Sequence, residues 1–310
     1  MAIKEKLKLW IKAVRAPFFT ATIIPILLGT AIAWSETNVM HWGLFILTLL
    51  GGVLIHAGVN LINDYYDHRS RNDWVNETPT PFSGGSRVIQ NQSIKPAHIL
   101  YTALICFGLG AIIGLLLNFM LDGTTLIVIG VIGILLGFFY TATPVKIGYR
   151  GYGLGELSVG LGFGPLMVLG SYYVQSAELS WYVFWASIPV MILIALVVYI
   201  NEFPDYKADK SVNKRTLPVM LGKKKAAYLF YGLLVFTYVY TVFFIAIGII
   251  PLFVLLILGT VPLADKIIKV TMVNKDKIYE LLPANATTIL LHLLFGACMI
   301  IGYIINGFAS

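Results

Sequence analysis

The chain alternates long apolar stretches with short polar ones. Runs without Asp, Glu, Lys or Arg cover residues 16–35, 37–63, 99–121, 123–145, 157–177, 179–201, 226–264 and 281–310. About 20 apolar residues suffice to cross the hydrocarbon core of a bilayer, so each run reads as a membrane helix. The 226–264 run is too long for one helix and is punctuated by Gly248-Ile-Ile-Pro251, which splits it into two. The pattern predicts an all-α, polytopic membrane bundle of nine transmembrane helices.

Two polar interruptions repeat one another. After the second run comes Asn60-Leu-Ile-Asn63-Asp64-Tyr-Tyr-Asp67-His-Arg-Ser-Arg-Asn-Asp73, and after the sixth comes Asn201-Glu-Phe-Pro204-Asp205-Tyr-Lys-Ala-Asp209-Lys210. Residues three or four apart share a helix face, so Asn60, Asp64 and Asp67 form one patch and Asn201, Asp205 and Asp209 another. Acidic side chains at the edge of a bilayer are costly unless paired, which makes such clusters functional by default. Two facing patches suit a divalent cation such as Mg2+, commonly held by one or two carboxylates plus phosphate oxygens. Asp73 falls on the far side of a continuous helix from Asp64, so the helix ends before it or the residue does different work. Pro204 removes one amide and frees the carbonyl of Ile200, predicting a kink or opening at that end of its helix.

The offset of four helices between the motifs puts both on one membrane face. It predicts two parallel four-helix halves with a ninth helix added, and not an inverted repeat. Three polar segments lie on that same face. His68 to Pro96 contains Gly84-Gly85-Ser86-Arg87, where glycine amides can approach a ligand and Arg87 can grip a phosphate or carboxylate; a solvated loop anchored by its charge is the competing reading. Tyr140 to Glu156 adds Tyr140, Lys146 and Glu156; Lys146 is either a phosphate partner or a topology signal, and Glu156, at the start of a span, is expected to face the bundle interior. The third segment runs through Lys210. Among Phe138, Phe139, Tyr140, Phe163, Tyr172 and Tyr173, at most two are expected to serve a carbocation rather than packing. His56 and His292 read as satisfied polar residues inside the bundle.

Composition sharpens this picture. Of 310 residues, 58% are hydrophobic and 12% charged, about half the charged share of a soluble domain. Five basic residues precede the first span, and four, two, seven and four follow spans 2, 4, 6 and 8, which accounts for all 22. By the positive-inside rule the N-terminus and both motifs are cytoplasmic in a multi-pass cell-membrane protein, and the C-terminus is on the opposite side. The net charge of +7 is thus topology and attraction to anionic lipid, not nucleic-acid binding. Cys106 and Cys298 lie in apolar spans and read as free thiols, with no disulfide. The N-terminus is too basic for a removed signal peptide, and Lys8 to Arg15 reads as an interfacial lead-in.

Nine spans with Asn60-x-x-x-Asp64-x-x-Asp67 after the second and Asn201-x-x-x-Asp205-x-x-x-Asp209 after the sixth resemble the UbiA superfamily of intramembrane aromatic prenyltransferases. Asp73, the Gly153-Leu-Gly155-Glu156 to Tyr172-Tyr173-Val-Gln175 segment and Lys214-Arg215-Thr216-Leu217 to Leu221-Gly222 resemble its 1,4-dihydroxy-2-naphthoate branch. No Arg-Pro pair follows the first motif, unlike the 4-hydroxybenzoate branch. The resemblance implies one membrane domain over 1–310, with cytoplasmic loops 68–96, 142–153 and 203–225 above an active site. It implies Mg2+-dependent transfer of a polyprenyl group from its diphosphate to a ring carbon, with loss of CO2, in menaquinone synthesis. Asp64, Asp67, Asp205 and Asp209 would hold Mg2+, with Asn60, Asn63, Asp73, Arg87, Tyr140, Lys146, Glu156, Asn201 and Lys210 around the substrates. The alternatives are another aromatic acceptor such as 4-hydroxybenzoate or, in a different class, a membrane transporter, which calls for acids nearer the midplane than these helix-end positions.

The charge partition yields a direct test. Reporters fused at Lys224 and Ser310 are expected to read cytoplasmic and opposite sides; the same side for both would mean an error in the span count.

Overall fold

The computed structural model describes residues 3–121 and 123–309, so the fusion point at Ser310 lies outside the described residues. Among them the structure is helical, with no strand. Seven helices are long and apolar enough to cross a membrane: Ala16–Thr37, Trp42–Arg69, Pro96–Met120, Leu154–Ser176, Trp181–Ser211, Lys223–Ala246 and Ile278–Ala309. Two further elements stand where spans four and eight are expected. One is the 14-residue apolar helix Thr125–Phe138. The other is a 3-10 stretch, Leu252–Thr260, continued by the helix Val261–Asn274. The expected division of residues 226–264 occurs where anticipated, since the chain leaves its helix after Ala246 and Gly248 takes a φ of 78°.

Three sequence expectations change. The fourth span stops at Phe138 instead of running to residue 145. Beyond it the chain reverses: the amides of Ile147 and Gly148 donate back to the carbonyls of Phe139 and Tyr140 at 2.9 and 2.8 Å. The segment 203–211, expected as loop, is the last part of the helix Trp181–Ser211, which carries straight through Pro204. Continuity there depends on a neighbour, because Asn285 Nδ2 donates to the freed Ile200 carbonyl at 3.1 Å. Pro189 in the same helix frees the carbonyl of Trp185, and the hydroxyl of Tyr240 donates to it at 3.1 Å. Lipid offers no donors, so a membrane helix keeps internal prolines where adjacent side chains supply them.

Two principal cores and a small third cluster of Ala21, Ile194 and Val197 hold the bundle. The smaller principal core joins the first motif helix to its neighbours through Ala57, Leu61, Ile62, Ile99, Ala103 and Phe107. The larger runs from Ile24 and Leu28 through Leu193, Tyr199 and Phe203 to Leu291, Phe295 and Tyr303. Small residues permit close approach: a Cβ on Gly164 would lie 2.7 Å from Met191 Cα, so the π-turn Gly162–Leu166 packs directly on the second motif helix. Cys106 and Cys298 are free thiols, as expected. His56 is satisfied by Thr22 Oγ1 at 2.8 Å from Nδ1. His292 differs from expectation: its buried Nε2 has no partner among the described residues.

Candidate functional site

Each motif helix ends by reversing a residue back over itself. The first stops at Arg69; Arg71 adopts a left-handed φ of 64°, and the short helix Asn72–Val75 returns Asp73 to a buried position. Asp73 is therefore not stranded on the far face, because the helix has ended. The second stops at Ser211; Asn213 takes a φ of 59°, and the amide of Lys214 donates to the carbonyl of Asp209 at 2.8 Å. That turn carries the Lys214 ammonium inward to within 3.6 Å of Asp209 Oδ1.

Between these ends lies a cavity of about 250 Å³ whose lining includes Asn60, Asn63, Asp67, Asp73, Asn201, Glu202, Asp205 and Asp209. Five of its side chains are carboxyls, and the cations facing it are Arg15 and Lys214. The loops interlock the two patches. From the loop after the first motif, Asn72 Nδ2 donates to Asp209 at 3.1 Å, Asn76 Nδ2 to Asp205 at 2.7 Å, and the Gly84 amide to Asp205 at 3.2 Å. In the other direction, the hydroxyl of Tyr149 donates to Asp67 at 2.6 Å. Gly85 must be glycine: its φ is +75°, and a Cβ would sit 2.3 Å from an Asp73 carboxylate oxygen.

Not every expected residue faces the cavity. Asp64 points to one side, where Arg15 and the hydroxyl of Ser86 bind it and the Ser86 amide donates at 3.3 Å. Arg87 donates to the Asp73 carbonyl and braces that turn. Lys146 lies over the Tyr149 ring, 5.0 Å from its centroid. Lys210 is exposed over Tyr206 and is not a lining residue. Tyr140 lines the cavity, and Glu156 is buried behind it, accepting from the Leu217 amide at 3.3 Å. Of the aromatics considered, Tyr140 and Phe163 line the cavity. Tyr172 instead donates to Glu36 at 2.7 Å. Sequence reasoning missed Arg15, Asn72, Asn76, Ser86, Tyr149, Lys214 and Asn285 as site residues. The signal available for Lys214 was its position just beyond the end of a helix of marked acidity.

The electrostatics follow from the surplus of acids. Burial, then the charges of Asp67 and Asp64, push the Asp73 carboxyl well above its ordinary pKa. Burial alone would lower Lys214, but Asp209 and Asp67 outweigh it and raise its pKa, so it is a fixed cation. The donor set is oxygen throughout, which suits a hard divalent cation. Among the described residues, however, no three acids stand close enough to hold a metal ion by themselves. The arrangement fits a cation completed by a ligand's own oxygens. Glu202 Oε2, buried and unpartnered, is a further sign of unmet polarity at this wall.

A second, largely apolar cavity of about 360 Å³ shares Ile55, Gly133, Gly162 and Met167 with the first and runs between Trp42–Arg69, Pro96–Met120, Thr125–Phe138 and Leu154–Ser176. The two cavities are thus neighbours that share part of a wall, the first carrying five carboxyls at its motif end and the second largely apolar.

Comparison with known proteins gives a consistent picture. The UbiA prenyltransferase family model matches residues 22–289. A 2-carboxy-1,4-naphthoquinone phytyltransferase of Synechocystis is 32% identical over 70% of this chain and 67% of its own. A 1,4-dihydroxy-2-naphthoate octaprenyltransferase of Bacillus subtilis is 29% identical over 77% and 74%. In fold, a UbiA homologue from Archaeoglobus fulgidus, solved with DMAPP and Mg2+, covers 97% of this chain and 98% of its own at a TM-score of 0.66 and 16% identity.

The buried pair is open to test. Replacing Lys214 by Met leaves Asp209 uncompensated and is expected to cost about 3 kcal/mol or more. Adding Asp209→Asn is expected to recover part of that loss, as read by thermal unfolding in detergent.

Proposed function

The chain belongs to the UbiA prenyltransferase family, and on that premise we propose that it transfers a polyprenyl group from its diphosphate to 1,4-dihydroxy-2-naphthoate, with Mg2+. The observation that carries this reading is the adjacency of two cavities: one holding five carboxyls and two cations at its motif end, the other an apolar slot that shares part of its wall. A prenyl diphosphate has those two halves. The acceptor follows the naphthoate- and naphthoquinone-directed relatives and the absence of an Arg-Pro pair after the first motif.

In this reading Asp67, Asp205 and Asp209, with Asp64 beside them, would hold Mg2+ together with the diphosphate's own oxygens. The bound Mg2+ supplies stabilisation of charge developing on the leaving oxygens. Lys214 and Arg15 neutralise further oxygens from fixed positions. The loop of residues 68–96 and the turn around Tyr149 close over the chamber and exclude water, which protects an allylic cation from hydrolysis. As the allylic C–O bond breaks, its electron pair leaves with the diphosphate, and Tyr140 and Phe163 present aromatic surface to the cationic carbon. The acceptor's ring carbon forms the new C–C bond, and its carboxylate departs as CO2, returning the electron pair to the ring. The orientation argued from basic residues puts this chamber on the cytoplasmic face, with the chain spanning the cell membrane as one domain.

Purified protein incubated with Mg2+, a polyprenyl diphosphate and both aromatic acids is expected to give the prenylated, decarboxylated naphthalene product by mass spectrometry. Prenylation of 4-hydroxybenzoate alone would overturn the acceptor assignment and leave the reaction class standing. Asp64→Asn and Asp205→Asn are each expected to lower turnover on the order of 100-fold or more. Their combination should cost far less than the product of the two, since groups acting as a unit fail as a unit. Near-normal turnover of both single variants at limiting Mg2+ would contradict the shared site.

A further inference from the structure

Asn285 stands on the helix Ile278–Ala309, outside both motifs, and its side chain is wholly buried. Its Nδ2 donates one proton to the carbonyl of Ile200 at 3.1 Å and the other to Oδ1 of Asn201 at 2.8 Å. A backbone carbonyl can only accept, so the orientation of the Asn285 amide is settled by Ile200, and the atom Asn201 turns toward it must be its oxygen. Asn201 lines the cavity, and with its oxygen engaged the NH2 group is what it has left for a ligand. Asn60, its counterpart, is held the opposite way: its Nδ2 donates to the Val14 carbonyl at 2.9 Å, which leaves the oxygen. The two copies of the Asn-x-x-x-Asp frame are therefore not equivalent. In the Asn201 copy the oxygen is engaged; in the Asn60 copy it is one hydrogen of the NH2 group.

We propose that Asn285 is a positioning residue that takes up the Ile200 carbonyl freed by Pro204 and fixes Asn201 as a hydrogen-bond donor to the diphosphate oxygens of the prenyl substrate. This rests on the prenyl diphosphate reading above and deepens it. The carbonyl freed by Pro204 is the acceptor that orients Asn285, and Asn285 passes that orientation to Asn201, one turn before Asp205. An apolar residue would pack at this point without burying an amide whose Oδ1 has no partner among the described residues.

The test separates holding the helix from orienting the ligand. Binding of a non-reacting prenyl thiodiphosphate is measured in detergent with Mg2+, alongside thermal unfolding, for Asn285→Ala, Asn201→Ala, their combination, and Asn285→Ala with Pro204→Ala. Asn285→Ala is expected to weaken binding about tenfold or more, as for a lost hydrogen bond to a charged group, and to lower the unfolding temperature. Asn201→Ala should weaken binding similarly, and the two together should add little, because one acts through the other. Pro204→Ala returns an amide donor to Ile200; in the Asn285→Ala background it should recover unfolding temperature and leave binding weak. Recovery of both, full additivity, or unchanged binding in Asn285→Ala would overturn the proposal while the prenyl diphosphate reading stands. Wild-type protein that does not bind the analogue would overturn that reading, and the assignment with it.

Discussion

An unbalanced group of carboxyls held out of bulk water at the ends of two membrane helices is the constraint on which the rest of this structure depends. Asp67, Asp73, Glu202, Asp205 and Asp209 share one chamber with Arg15 and Lys214. Taking a charge out of water is expensive, and its cost is met only by close partners or by neutralisation. The protein answers in part with hydrogen bonds. Asn72, Asn76, the Gly84 amide, Tyr149 and Thr216 all donate to these acids. The remainder is a standing demand for cations, which is the physical basis for reading the chamber as a receptor for a metal-bound anion.

That demand explains the arrangement of the loops. The loop after the first motif supplies donors to the second, and Tyr149, from the turn between Thr125–Phe138 and Leu154–Ser176, supplies one to the first. Each patch draws at least one donor from outside its own helix and the turn that follows it. The same logic operates along the second motif helix, where Asn285 and Tyr240 attend to the carbonyls that Pro204 and Pro189 leave free. Backbone irregularity at these depths is tolerated where a neighbouring helix supplies the missing donor.

Legibility in the sequence divides along the same line between local and nonlocal contacts. Helical periodicity groups Asn60, Asp64 and Asp67 on one face and Asn201, Asp205 and Asp209 on another, because it depends only on spacing; that Asp64 turns aside to Arg15 and Ser86 while the others line one chamber is beyond it. For Asp73 it leaves two alternatives, and the first holds: the helix ends at Arg69, and the turn at Arg71, beyond the reach of periodicity, brings the residue back. The cation expected beside Asp209 is its sequence neighbour Lys210, whereas it is Lys214 that the turn at Asn213 brings inward. Arg15, Asn72, Asn76 and Tyr149 were invisible for a different reason: their partners are set by which loop crosses which helix. The apolar runs anticipated the helical, membrane-spanning character and the split near Gly248. They overstated the fourth span, because Phe139 to Val145 are apolar enough to continue a helix yet are drawn into the reversal beside Tyr140.

Metal and anion binding at this chamber must be thermodynamically linked if neither the acids alone nor the diphosphate alone completes the cation's shell. The most direct measurement is the apparent affinity of the purified protein for Mg2+ by calorimetry, with and without a non-reacting prenyl diphosphate analogue. The account predicts weak Mg2+ binding alone, a marked gain when the analogue is present, and the same factor of gain for the analogue when Mg2+ is present. Tight binding of the analogue that is indifferent to Mg2+ would contradict it.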